Sequence, residues 1–121
     1  MLTRKIEGDS MLFWDEDSLI LTADEQDLNG GILMVLKGQL RSDTVHYIQN
    51  ELDAFTTVGV KVCVDFREVS YAAPSFLGAL LSSQHLVDFF HKGEIVLKNI
   101  PDKIYQEMDE TGITELLMIE D

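Results

Sequence analysis

The sequence predicts an α/β domain built on a mostly parallel β-sheet with an antiparallel strand at its N-terminal side. Three observations predict it. An Asn29-Gly30 pair separates two short apolar runs, the strongest short-range signal for a hairpin. Two amphipathic segments, at 43–58 and 75–90, carry apolar residues at helical spacing. Short β-rich runs at 61–66, 94–98 and 116–119 alternate with helical segments, and that alternation is how a parallel sheet with crossover helices is written in sequence.

The elements follow in order. Residues 1–17 mix Phe13 and Trp14 with Glu7, Asp9, Asp15, Glu16 and Asp17, which suggests an acidic arm or a short edge strand. Residues 18–121 form the single domain. Residues 18–23 are a strand, 27–31 the turn, and 32–36 its antiparallel mate. Ser42 and Asp43 can cap the helix that follows. Val45, Ile48, Leu52 and Phe55 give that helix one apolar stripe, and Gly59 ends it. The run at 61–66 has the length and near-continuous apolarity of a buried central strand.

Pro74 and Ser75 open the next helix, which His91, Lys92 and Gly93 terminate. A strand at 94–98 follows. Pro101 suits the first turn of a short helix through Ile104 and Met108, and residues 116–119 close the chain as a strand. The expected order is β-β-α-β-α-β-α-β.

Composition limits the function. The chain has 121 residues, 45% hydrophobic and 26% charged, which suits one globular domain. Its formal net charge is −13, with Lys and Arg scattered, so phosphate neutralisation on nucleic acid is disfavoured and direct nucleic-acid binding is not expected. No apolar run approaches the roughly 20 residues of a spanning helix, and no signal peptide is visible, so no membrane insertion and a cytoplasmic location are expected.

No enzyme, cofactor or metal signature is found. Gly30-Gly31 lacks the ending of a phosphate-binding loop. His46, His85 and His91 show no ligand spacing with each other or with Cys63. Cys63 sits in an apolar run and reads as a small buried hydrophobe, because a reactive thiolate needs an exposed, electropositive site.

The segment from Val62 to Leu81 resembles the STAS family, which includes bacterial anti-sigma factor antagonists. Asp65, Val69, Ser70, Tyr71, Ser75, Leu77, Gly78, Leu80 and Leu81 match its pattern, in which a buried strand ending in Asp leads to a serine loop that opens a helix. Gly38-Gln39-Leu40 and residues 108–113 resemble further family segments, so the resemblance covers roughly residues 18–119.

The resemblance implies a non-enzymatic regulatory module that binds a protein partner, such as a serine-kinase anti-sigma factor. It implies Ser75 as phosphoacceptor, since Ser75 aligns with the family's switch serine. A helix N-terminus favours an anion, although the simplest role for Ser75 is an N-cap. Arg41, Ala73, Pro74 and Phe76 depart from the family pattern beside that serine and are the partner-binding candidates. Two carboxylates are lost and one cation is gained.

Arg41 can pair with a phosphate or a partner's carboxylate. STAS domains also occur as fixed subunits of transport assemblies and stress-sensing complexes, and the altered loop suits that second role. A nucleotide or lipid near the loop is a third option that nothing in the sequence specifies. The N-terminal hairpin leaves an edge strand, a surface for homodimerisation unless Phe13 and Trp14 cover it.

Overall fold

The computed structural model describes residues 1–120. Seven strands form one sheet in strict sequence order: β1 (Leu2–Glu7), β2 (Ser10–Asp15), β3 (Ser18–Leu28), β4 (Gly31–Leu40), β5 (Lys61–Ala72), β6 (Glu94–Lys98) and β7 (Met118–Glu120). Pairings from β1 to β4 are antiparallel, and those from β4 to β7 are parallel. Three helices fill the parallel connections: α1 (Val45–Thr56), α2 (Pro74–Phe90) and α3 (Asp102–Glu110). A 3-10 turn over Ile113–Glu115 precedes β7.

All three crossovers step the same way across the sheet. Crossovers of one hand then place every helix on the same face. The core agrees: Met34, Val64 and Leu97 lie side by side and pack in one cluster with Ile48, Leu52, Phe76, Leu80, Ile104 and Met108. The opposite face has no helix. Leu33, Cys63, Val96 and Met118 form a row across it. The crossover helices thus cover one face of the sheet.

The N-terminal stretch is a two-stranded hairpin that turns at Gly8 and Asp9 and extends the sheet beyond β3. It belongs to the core. Phe13 is fully buried and its ring lies 5.6 Å from that of Tyr47 on α1. The Arg4 guanidinium sits 4.3 Å over the same Tyr47 ring, a cation–π contact.

The hairpin between β3 and β4 turns at Asn29 and Gly30, both at positive φ (35° and 88°), as a two-residue primed turn requires. The strands run longer than the apolar pattern suggests, β3 on to Leu28, β4 to Leu40 and β5 to Ala72. Neither Ser42 nor Asp43 caps α1. Thr44 occupies that position, fully buried, and its hydroxyl donates to the Arg41 carbonyl at 2.8 Å.

No helix among the described residues is long and apolar enough to cross a membrane.

Candidate docking surface around Ser75

The end of the sheet where β4 and β5 finish carries the residues singled out in the sequence. Leu40 pairs with Ala72, and the Ala73 amide donates to the Leu40 carbonyl at 2.8 Å. This pins the start of α2 directly beside the loop that holds Arg41. Ala73, at φ −64° and ψ 147°, is the N-cap residue, and no side chain caps the helix. Pro74 takes the first helical position, where its fixed φ is already helical and its missing N–H costs nothing.

Ser75 is therefore the second residue of α2 and not its cap. It is exposed, as is Pro74. The amides of Phe76 and Leu77 both donate to the Ala73 carbonyl, at 2.9 and 3.3 Å. Pro74 has no amide proton, so Ser75 N–H is the one open donor of the first turn. An oxyanion here meets a single amide, where a helix start can offer up to four.

The other candidates divide. Phe76 is 1% exposed and packs edge-on against Phe66, with centroids 6.1 Å apart. Its bulk points into the core and not beside the Ser75 hydroxyl. Ala73 is buried as well. Arg41 remains at the surface but is engaged. Its guanidinium donates to Asp15 on β2 at 2.9 Å and to Asp43 at 2.8 Å. The Asp15 carboxyl is lowered from its ordinary value, first because Arg41 donates to it.

One exposed aromatic is not marked by the sequence pattern. Tyr71, two positions before the N-cap, is 49% exposed at the end of β5. It is registered beside Gln39 on β4. Burial here departs from strand alternation: Val69 and Ala72 are buried while Ser70 and Tyr71 both face out, because the β4–β5 register shifts between Gly38 and Gln39. The accessible surface at this end is thus Tyr71, Pro74, Ser75 and the outer edge of Arg41.

The Asp65 carboxylate braces the neighbouring strand ends, accepting from the Arg67 amide at 2.9 Å and the Asn99 side chain at 3.2 Å. Cys63 is buried, and burial pushes its thiol pKa up, away from nucleophilic use. His46, His85 and His91 are exposed, and no three acidic, His or Cys side chains among the described residues are placed to hold a metal.

The family model described as "Mlab, STAS domain" matches residues 25–120. The chain belongs to the STAS domain family. The match starts within β3, so the β1–β2 hairpin lies outside it.

Solved structures carry the same fold. The Thermotoga maritima protein TM1081 superposes with a TM-score of 0.73 at 15% identity, covering 82% of this STAS domain and 86% of that chain. The anti-sigma factor antagonist SpoIIAA in its unphosphorylated form gives 0.67 at 15% identity, with 82% and 88% covered. Phosphorylated SpoIIAA, a Bacillus cell fate determinant, gives 0.63 at 15% identity, with 82% and 91% covered. At these identities the likeness is one of fold. No curated protein sequence matches this STAS domain.

Proposed function

We propose that this STAS domain is a non-enzymatic docking module that binds a protein partner through Tyr71, Pro74, Ser75 and the rim of Arg41. The observation that carries the reading is the exposure pattern at the start of α2. Ala73 and Phe76 anchor the turn inside the core, while Tyr71, Pro74 and Ser75 stand out beside it. A rigid exposed Tyr next to a Pro-fixed turn is the kind of anchor that dominates protein interfaces. Ser75 is the modification point in this reading. A phosphate there adds roughly two negative charges to a surface that already holds Asp15 and Asp43. The partner it fits resembles a serine-kinase anti-sigma factor.

A second reading, a fixed subunit of a transport or stress-sensing assembly, draws support from two features. Arg41 is already neutralised by two carboxylates, and the helix start offers one open amide, so the site is poorly furnished for a phosphate.

Affinity purification from the native host separates the two. Wild type, Tyr71→Ala and Ser75→Asp serve as baits, with Phe89→Asp at the far end of α2 as control. Docking through this surface predicts loss of the same partner with Tyr71→Ala and retention with Phe89→Asp. A switch adds loss with Ser75→Asp and a phosphorylated Ser75 peptide by mass spectrometry. A partner retained by Ser75→Asp and lost by Tyr71→Ala indicates the fixed subunit. Retention by all three variants removes this surface from consideration.

A further inference from the structure

The helix-free face of the sheet is distinct from the surface around Ser75. Alternation along the strands sends Val62, Val64, Ile95 and Leu97 into the core cluster beneath the helices. Lys61, Cys63 and Asp65 on β5, and Glu94, Val96 and Lys98 on β6, therefore share the opposite face. Cys63 and Val96 are buried, yet neither belongs to that core cluster. They form the middle of an apolar row that Leu33 and the exposed Met118 complete.

Charges flank this row in a checkerboard. On the side where the strands begin, Lys61 is registered beside Glu94. On the side where they end, Asp65 is registered beside Lys98. Each strand thus carries one cation and one anion, in opposite order. Among the described residues no ion pair uses any of the four. Asp65 accepts only from neutral donors, the Arg67 amide and the Asn99 side chain. The four charges cancel, although the chain as a whole carries a formal net charge of −13.

A checkerboard fits a copy of itself. With a two-fold axis along the strands, between β5 and β6, Lys61 faces the other copy's Glu94 and Lys98 faces its Asp65. Cys63 then meets Val96, and Leu33 meets Met118. With the axis across the strands, Lys61 faces the other copy's Asp65 and Glu94 faces its Lys98. Both arrangements set opposite charges together and lay one apolar row on the other. A balanced face also avoids the like-charge repulsion that a surplus of acid imposes between copies.

We propose that the helix-free face of β4–β7 docks on a second copy of this chain, giving a two-sheet sandwich with the helices outside. Sheets stack about 10 Å apart, close enough for the side chains of both to interdigitate. Glu120, exposed on β7, stays at the rim. Four strands about 4.8 Å apart and five residues deep frame roughly 300 Å². Long-lived complexes bury about 800 Å² per partner, so this dimer is dynamic and forms with rising concentration.

Sedimentation velocity over a concentration series reads the association. Wild type should pass from monomer to dimer as concentration rises. Lys61→Glu with Lys98→Glu makes the charged part of the face wholly acidic. Asp65→Asn with Glu94→Lys makes it wholly basic, and the amide keeps an acceptor oxygen for Arg67 and Asn99. Each double variant alone should self-associate at least about tenfold more weakly than wild type. An equimolar mixture of the two should form a heterodimer in either two-fold arrangement, a result that misfolding cannot give. Wild type that stays monomeric at every concentration overturns the proposal, whether or not a different protein of the host covers the face. So does a mixture that fails to associate, and so do double variants that each dimerise like wild type, which moves the interface elsewhere.

Discussion

Single positions explain much of the local geometry. Gly38 on β4 holds φ at 110°, and a Cβ there would run into the backbone carbonyl of Ile20 on β3. Both the dihedral and the close approach demand glycine. Gly38→Ala is expected to lose at least about 2 kcal/mol, from the sum of a strained backbone and displaced strands. Chemical denaturation measures this, and a midpoint equal to wild type contradicts it.

Ser75 teaches the opposite lesson. Its residue type and position next to Pro74 fit an N-cap, yet the cap is Ala73, because the Ala73 amide is held by Leu40 across the strand gap. Long-range pairing set the helix cap two residues earlier than local chemistry suggests.

Among the elements, the N-terminal hairpin shows how far tertiary packing overrides pattern. Phe13 on β2 is fully buried, its ring against Tyr47, so the strand is part of the core. Phe13→Ala should cost about 3–5 kcal/mol, the usual loss for a buried aromatic. A calorimetric scan that finds a loss below 1 kcal/mol would falsify a core role for the hairpin.

The strands and helices that bury continuous apolar stripes were legible in the sequence. The β3–β4 hairpin announced itself through Asn29-Gly30, and α1 through Val45, Ile48 and Leu52. Less legible were β1, where Arg4, Lys5 and Glu7 break any apolar alternation, and the far half of β5, where Arg67, Glu68, Ser70 and Tyr71 do the same. These stretches are strands because a neighbour offers a free edge, and a neighbour is not visible in a local window. For the docking surface, the position of Ser75 was readable. The burial of Phe76 and the exposure of Tyr71 depended on how the strand meets the helix.

For the molecule as a whole, the balance of carboxyl groups sets the response to pH. Asp15 is lowered chiefly by Arg41, and Asp24 chiefly by the Gln26 side chain and then Ser10. These groups contribute stability above the normal aspartate value and lose it as pH falls through their folded values. Glu25 acts the other way, losing its contribution as pH rises towards 8. The net charge of −13 adds self-repulsion that grows as carboxylates ionise.

Stability should therefore peak in weakly acidic solution, and the melting temperature at pH 5.5 should exceed that at pH 8.5. Added salt should narrow the gap through screening. A higher melting temperature at pH 8.5 in dilute buffer contradicts this balance.

The one-way order of the strands has a further consequence, for growth. A sheet that adds each strand at the same side never closes, so it always ends in a bare rim. Here the two rims are β7 and β1, the latter set there by the hairpin that precedes the residues matched by the family. A second copy laid antiparallel along β1 and centred on Arg4 or on Lys5 would set that cation opposite its own counterpart. Like charges directly opposite are unfavourable, and edge cations are a common guard against such stacking. The hairpin thus trades the longer edge of β3 for a short cationic one, which disfavours edge-to-edge pairing on that side.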